Sequence, residues 1–155
     1  MIRAAEKRDA ITVVQLICDT VKADSRYDCS QRQRLLALMN SEGVQEALLS
    51  GHSVVYVDAE DKPIGFCSVT GNGRRPLFVN PAHQGRGIGG VLLNYMERYS
   101  AGPANGEESN KGLRVFSTES AVPFYESHGY REIRRYHHML DEVAILRVEM
   151  MKPMD

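Results

Sequence analysis

Residues 77–99 read LFVNPAHQGRGIGGVLLNYMERY: a short apolar run, four glycines within the six residues 85–90, then a second apolar run with a different period. Ile88, Leu92, Tyr95 and Tyr99 fall at i, i+4, i+7 and i+11, the spacing of one buried helix face, so a helix is expected over 88–99, starting inside the glycine loop. Leu77, Phe78 and Val79 have the character of a strand that ends just before it. Such a unit leaves several backbone N–H groups unshielded at the positive end of a helix dipole, which is a cradle for phosphate. A phosphorylated cofactor is the expected ligand. Arg86 adds a positive charge that can lie over the phosphates or remain solvated.

Gly85, Gly87 and Gly90 also spell G-x-G-x-x-G, which raises a dinucleotide-binding fold as a competing reading. Context argues against it. In that fold the first glycine follows its strand almost directly, whereas residues 80–84 intervene here, and the acids some 20 residues on, Glu107 and Glu108, lie in a polar loop. No Lys-Ser or Lys-Thr follows the glycines, so the loop is not a P-loop either.

Working outward, the rest of the chain fits one domain spanning 1–155. It is 43% apolar and 25% charged with a formal net charge of -1, the profile of a globular protein without an evident nucleic-acid partner. The charged start MIRAAEKRDA and the lack of any run of about 20 apolar residues point to a cytoplasmic protein with no membrane association. Cys18, Cys29 and Cys67 follow no metal-ligand spacing, so no metal site is expected.

Residues 1–5 read as a strand, with Asp9 as N-cap of a helix carrying Val13, Val14, Leu16, Ile17 and Val21. Ser30 and Ser41 are the expected caps of two further helices, the second closed by Gly51. HSVVYVD and PIGFCSVT form a hairpin, RRPLFV a third strand, and SAGPANGEESNKG at 100–112 a surface loop. LRVFS, a helix in SAVPFYESHG, and the strands YREIRRYHH and VAILRVEMM complete the order βααα-βββ-α-β-α-ββ.

Two segments carry a family resemblance. Gln84-Gly85-Arg86-Gly87-Ile88-Gly89 resembles the Q/R-x-x-G-x-G/A signature of the GNAT (Gcn5-related N-acetyltransferase) superfamily, preceded by the strand end Leu77-Phe78-Val79-Asn80-Pro81. Thr118 to Tyr130, TESAVPFYESHGY, resembles that family's A-x-x-FYE-x-x-GF segment, with Tyr130 in place of the usual phenylalanine. The resemblance covers almost the whole chain. It implies an α/β (α+β) fold with a mixed central sheet, splayed parallel strands and flanking helices.

It further implies acetyl-CoA as the cofactor, its pyrophosphate on the amides of Gln84, Gly85, Arg86, Gly87, Ile88 and Gly89. Its pantetheine would run beside Leu77, Phe78 and Val79, in the gap between RRPLFV and LRVFS, with the amide near Val79 facing the thioester oxygen. Tyr125 takes the position of the family's general acid, which protonates the departing thiolate; a lowered tyrosine pKa, or a hydrogen bond to the sulfur, would ease that transfer. Thr118 stands where many members have asparagine and is a candidate for binding the pantetheine or for capping a helix.

The amine side is less marked. The family's glutamate before the glycine loop has no counterpart in residues 66–70 or in RRPLFV, so a water relay, His83 or Asp28 are the candidates for proton removal. The plainer reading of the last two is an exposed loop residue and a helix cap. Tyr27 is a candidate for acceptor recognition, and of His137 and His138 at most one can enter the site, because neighbours on a strand face opposite ways. Cys67 has no histidine near it in sequence, so transfer is expected to be direct rather than through an acetyl-cysteine. The acceptor is a small-molecule or peptide amine, and the protein a monomer or homodimer. The alternative reading is a non-catalytic regulatory module of the same fold that binds acyl-CoA.

Overall fold

Two antiparallel sheets are laid side by side without a ladder between them. The computed structural model describes residues 1–69, 75–100 and 112–153. The first sheet has the order β1 (Ile2–Ala4), β2 (His52–Val57), β3 (Pro63–Val69), β4 (Leu77–Val79). The second has the order β5 (Leu113–Ser117), β7 (Val143–Lys152), β6 (Arg131–Leu140). Strand β3, in the middle of the first sheet, is buried along nearly its whole length, as its β-branched and aromatic composition demands.

Among the described residues, five α-helices cover the sheets: α1 (Ala10–Ala23), α2 (Cys29–Met39), α3 (Val44–Leu48), α4 (Ile88–Ser100) and α5 (Val122–Ser127). In α1, Val13, Leu16, Ile17 and Val21 are buried at helical spacing and pack on Val55, Phe66, Phe78 and Ile145. In α4, Ile88, Leu92, Leu93 and Met96 bury the opposite face of the sheets together with Val115, Val148 and Met150. The side chains of β7 alternate accordingly: Val148 and Met150 belong to the cluster of α4 and α5, Ile145 to that of α1 and α2. None of these helices is long and apolar enough to cross a membrane.

The element order is the expected one, but several caps are not. Asp9 precedes α1, yet its carboxylate caps no helix amide; it accepts from Arg3 at 2.8 and 2.9 Å and from the Glu6 amide at 2.7 Å. Helix α2 starts at Asp28 rather than Ser30, because a carboxylate followed three residues later by glutamine completes a reciprocal capping box. Helix α3 starts after Gly43, at φ +82°, not at Ser41, and ends at Leu48, so Gly51 opens β2 instead of closing the helix. Residues 70–74, ahead of β4, and most of the expected 100–112 loop lie outside the described residues.

Candidate active site

The site is built on the edge of β4 that the first sheet leaves bare. Ser68 N–H donates to the Pro76 carbonyl at 3.1 Å and Asn80 N–H to the Ile64 carbonyl at 2.9 Å, so residues 76, 78 and 80 turn their backbone groups toward β3. Backbone direction alternates along a strand, so the N–H groups of Leu77 and Val79 turn to the opposite edge, where no strand among the described residues pairs with them. The Val79 carbonyl is already used there: Gln84 Nε2 donates to it at 3.0 Å, folding the glycine loop back onto the strand end. The loop's position is therefore set by its own glutamine.

Across this open edge lies β5. Arg75, only 8% exposed, donates through Nη1 to the Arg114 carbonyl and through Nε to Ser100 Oγ, both at 3.0 Å. The guanidinium thereby joins the start of β4 to the start of β5, and among the described residues no ladder runs between the two strands beyond it. Because Arg114 turns its carbonyl to the gap, Phe116 does too. This is the splayed pair that the sequence resemblance implies, and the mixed sheet is in fact two antiparallel ladders separated by it.

The glycines divide into two kinds. Gly85 and Gly87 sit at φ +80° and +82°, where side chains are rarely tolerated, and a Cβ on either would meet nothing within 4 Å. They curve the loop and leave its outer surface open. Gly89 and Gly90 serve packing instead: a Cβ on Gly89 would stand 3.0 Å from Phe124 Cε1, and one on Gly90 3.2 Å from His128 Nε2. Their bareness lets the first turn of α4 close on α5. The first helical bond of α4 runs from Val91 N–H to the Gly87 carbonyl, so the amides of residues 88–90 have no intrahelical acceptor.

Helix α5, pressed against that turn, carries Tyr125. Its ring is 6% exposed, edge-on to Phe124 at 5.1 Å and to Tyr130 at 5.4 Å, and shares one apolar cluster with Leu77, Val79, Ile88 and Cys67. Burial, and secondarily the nearby Cys67, push the phenol well above its ordinary pKa. Of the two conditions that would ease transfer, a lowered pKa or a hydrogen bond to the sulfur, this environment does not supply the first, and the phenol is neutral. Burial also pushes the Cys67 thiol up to about 12, and its Sγ faces the Leu92 carbonyl at 3.7 Å, so it is a poor nucleophile.

An acetyltransferase (GNAT) domain matches residues 50–132, more than half of the chain. The chain belongs to the GNAT acetyltransferase family. It is 33% identical over 107 residues to the N-acetyltransferase YjcF of Bacillus subtilis, an alignment that covers 66% of this chain and 70% of that protein. The GCN5-related N-acetyltransferase of Rhodopseudomonas palustris superposes with a TM-score of 0.86 at 20% identity, covering 99% of this chain and 95% of that one. Apo YjaB of Escherichia coli gives 0.72 at 23% identity, covering 97% and 95%. At such identities these structures establish the GNAT fold.

Within this GNAT frame the residues singled out from sequence separate. Leu77, Val79, Ile88 and Tyr125 share one apolar cluster in which Ile88 is buried, and Phe78 turns its side chain to the cluster of α1. Arg86 is exposed on the loop. Thr118 accepts from the Ala121 amide at 3.3 Å and caps the turn leading into α5. Tyr27 receives a hydrogen bond from Arg147 Nη1 at 3.1 Å and lines a cleft of ≈ 220 Å³ with Asp24, Arg26, Gln31, Glu119, Ser120 and Leu146.

Asp28 and His83 lie elsewhere. The Asp28 carboxylate is engaged by the Gln31 amide at 2.8 Å as a helix cap. His83 ends the short turn Pro81–His83 after β4, and its Nδ1 is buried without a hydrogen-bond partner among the described residues. His137 and His138 are both exposed on β6. Sequence reading passed over Arg75 and Glu149. A charged residue inside the apolar runs RRPLFV and VAILRVEMM is the signal that marks them, since unpaired charges are rarely buried.

Proposed function

We propose that the protein is an N-acetyltransferase of one domain, residues 1–155, that moves the acetyl group of acetyl-CoA directly to a primary amine. The observation that carries this reading is the unpaired Leu77–Val79 edge, opening between the glycine loop and a buried phenol. The residues present fit acetyl-CoA. A positive-φ loop with nothing above Gly85 and Gly87 suits a diphosphate, and a bare strand edge suits the amides of pantetheine.

Bound acetyl-CoA supplies an activated acetyl carbon. The amides of residues 84–89 hold the phosphates, with Arg86 above them as a mobile cation. The Val79 N–H serves as hydrogen-bond donor to the acetyl oxygen as charge develops there. Tyr125, neutral across the physiological range, donates its proton to the departing sulfur. The acceptor enters from the cleft beside Tyr27.

Calorimetric titration tests it, with acetyl-CoA and NADH as ligands on the wild type and on Gly87→Asp. Saturable acetyl-CoA binding that the variant loses by at least about tenfold, with NADH inert, is the expected result, because aspartate adds an anion and strains a left-handed position by about 1 kcal/mol. A folded wild type that ignores acetyl-CoA, or prefers NADH, would overturn the reading.

A further inference from the structure

Arg147 is a half-buried cation that has no acidic partner among the described residues. It stands in β7 opposite Tyr136 of β6. Its Nη1 donates to the Tyr27 hydroxyl at 3.1 Å and to the Leu146 carbonyl at 3.2 Å, and these two bonds fix the guanidinium plane. Nε and Nη2 donate to nothing among the described residues, yet neither is buried, so a ligand can reach both. Glu149, two residues along the strand, is bridged to Arg134 instead. The Tyr27 oxygen accepts from Arg147, which leaves the phenol's own proton for another acceptor. Its ring is anchored by packing on the cluster of Val21, Leu35 and Ile145.

The ≈ 220 Å³ cleft that Tyr27 lines contains two acids, and both are engaged. Glu119 lies between Arg26 at 3.0 Å and Arg135 at 3.6 Å. Asp24 accepts from Ser120 Oγ at 2.7 Å and from the Arg26 amide at 3.0 Å, and Arg32 donates to its carbonyl at 3.0 Å. The charge left unopposed behind this wall is that of Arg147, and the unspent proton on the wall is that of Tyr27. Both groups offer donors only. A planar guanidinium edge beside an O–H matches a carboxylate, whose two oxygens it can bind in one plane, and a single cation balances a single negative charge. Glu119 and Ser120 lie between β5 and α5, the helix that carries Tyr125, so the cleft opens where the β5 side of the gap ends.

We propose that Arg147 and Tyr27 form a carboxylate receptor, and that the amine acceptor is an amino acid or a short peptide held there by its carboxylate. The assignment rests on the acetyltransferase reading above and narrows it to one class of amine. Polyamines and aminoglycosides bring several positive charges and no anion, so they meet an unopposed guanidinium and are poor acceptors. Arg147 sets specificity at the end of the substrate remote from the acetyl carbon and moves no proton.

The test follows thiol release from acetyl-CoA with glycine, β-alanine, γ-aminobutyrate, lysine and glycylglycine, each beside its carboxamide, and with spermidine. The acids differ in length, so no span between receptor and acetyl carbon is assumed. Wild type, Arg147→Met, Arg147→Lys and Tyr27→Phe are compared, with Tm and calorimetric acetyl-CoA affinity measured beside turnover. In the wild type the best acid is expected to exceed its carboxamide at least about tenfold in kcat/KM, and to exceed spermidine. Arg147→Met should bring the acid-to-amide ratio to within about twofold of one, through the KM of the acid. Arg147→Lys, which keeps the charge and loses the fork, should recover part of the ratio, and Tyr27→Phe should lose part of it. Equal use of acid and amide by the wild type, spermidine as the better acceptor, or an Arg147→Met that lowers both rates and keeps their ratio would overturn the proposal and leave the acetyltransferase reading standing. A wild type that binds acetyl-CoA but acetylates no amine in the panel would remove that reading, and this proposal with it.

Discussion

At the residue scale, Tyr125 illustrates how burial selects a role. A phenol in water has a pKa of about 10, above that of a thiol, so it surrenders its proton to a thiolate only where geometry helps. Burial, and secondarily Cys67, raises that pKa further, so the phenol stays neutral and is a weaker acid than in water, and a hydrogen bond to the sulfur has to supply what its acidity does not. Tyr125→Phe removes the donor while keeping the ring. We expect turnover to fall by roughly 100-fold or more, with calorimetric acetyl-CoA affinity and Tm little changed. Unaltered turnover would take the acid role from this residue.

At the element scale, the gap exists because one buried cation holds two strands together at their starts and no ladder follows. Arg75 couples β4 to β5 through the Arg114 carbonyl and to the end of α4 through Ser100 Oγ. Truncating it leaves a carbonyl and a hydroxyl without this donor. Arg75→Met should cost about 2–3 kcal/mol of stability in urea unfolding, from the lost charge-assisted bonds. Acetyl-CoA affinity should weaken in parallel, because the spacing of the two strand edges is no longer fixed. A variant as stable as the wild type would show that the clamp is dispensable. The same scale shows what sequence reading reached. The helical period of α4 was legible from Ile88, Leu92, Tyr95 and Tyr99, but its buried face is Ile88, Leu92, Leu93 and Met96, with Tyr99 exposed. The starts of α2 and α3 were not legible, because Asp28 and Ser30 offer equivalent capping atoms to a reader who cannot see Gln31 reach back.

At the scale of the whole molecule, buried titratable groups set the pH range of stability. Asp9 is held below the usual carboxylate range by its hydrogen bonds to Arg3, against the opposing cost of burial. A group whose folded pKa is depressed stabilises above its unfolded pKa of about 4 and loses that contribution as pH falls through the folded value. Tyr125 and Tyr130 are shifted upward, mainly by burial. Their contribution is complete below the unfolded pKa of about 10 and is lost as pH rises toward the folded values. Tm is therefore expected to be flat from about pH 5 to 9 and to fall on both sides. Asp9→Asn should flatten the acid limb and Tyr125→Phe the alkaline one. A Tm profile unchanged by both substitutions would contradict these assignments.

The sequence by itself determined the order of elements, the helix that begins among glycines, and the two segments that mark a GNAT acetyltransferase. Each is a local property, a periodicity or a run of neighbouring residues, and survives without knowledge of what packs against it. Only the tertiary structure decided which glycines curve the loop and which admit a neighbouring ring, because that depends on Phe124 and His128, more than 30 residues away. Only it set Arg75 across the closed end of the gap and Glu149 beside Phe116. Those placements follow from strand register, and register fixes the face a side chain occupies and the partners it meets.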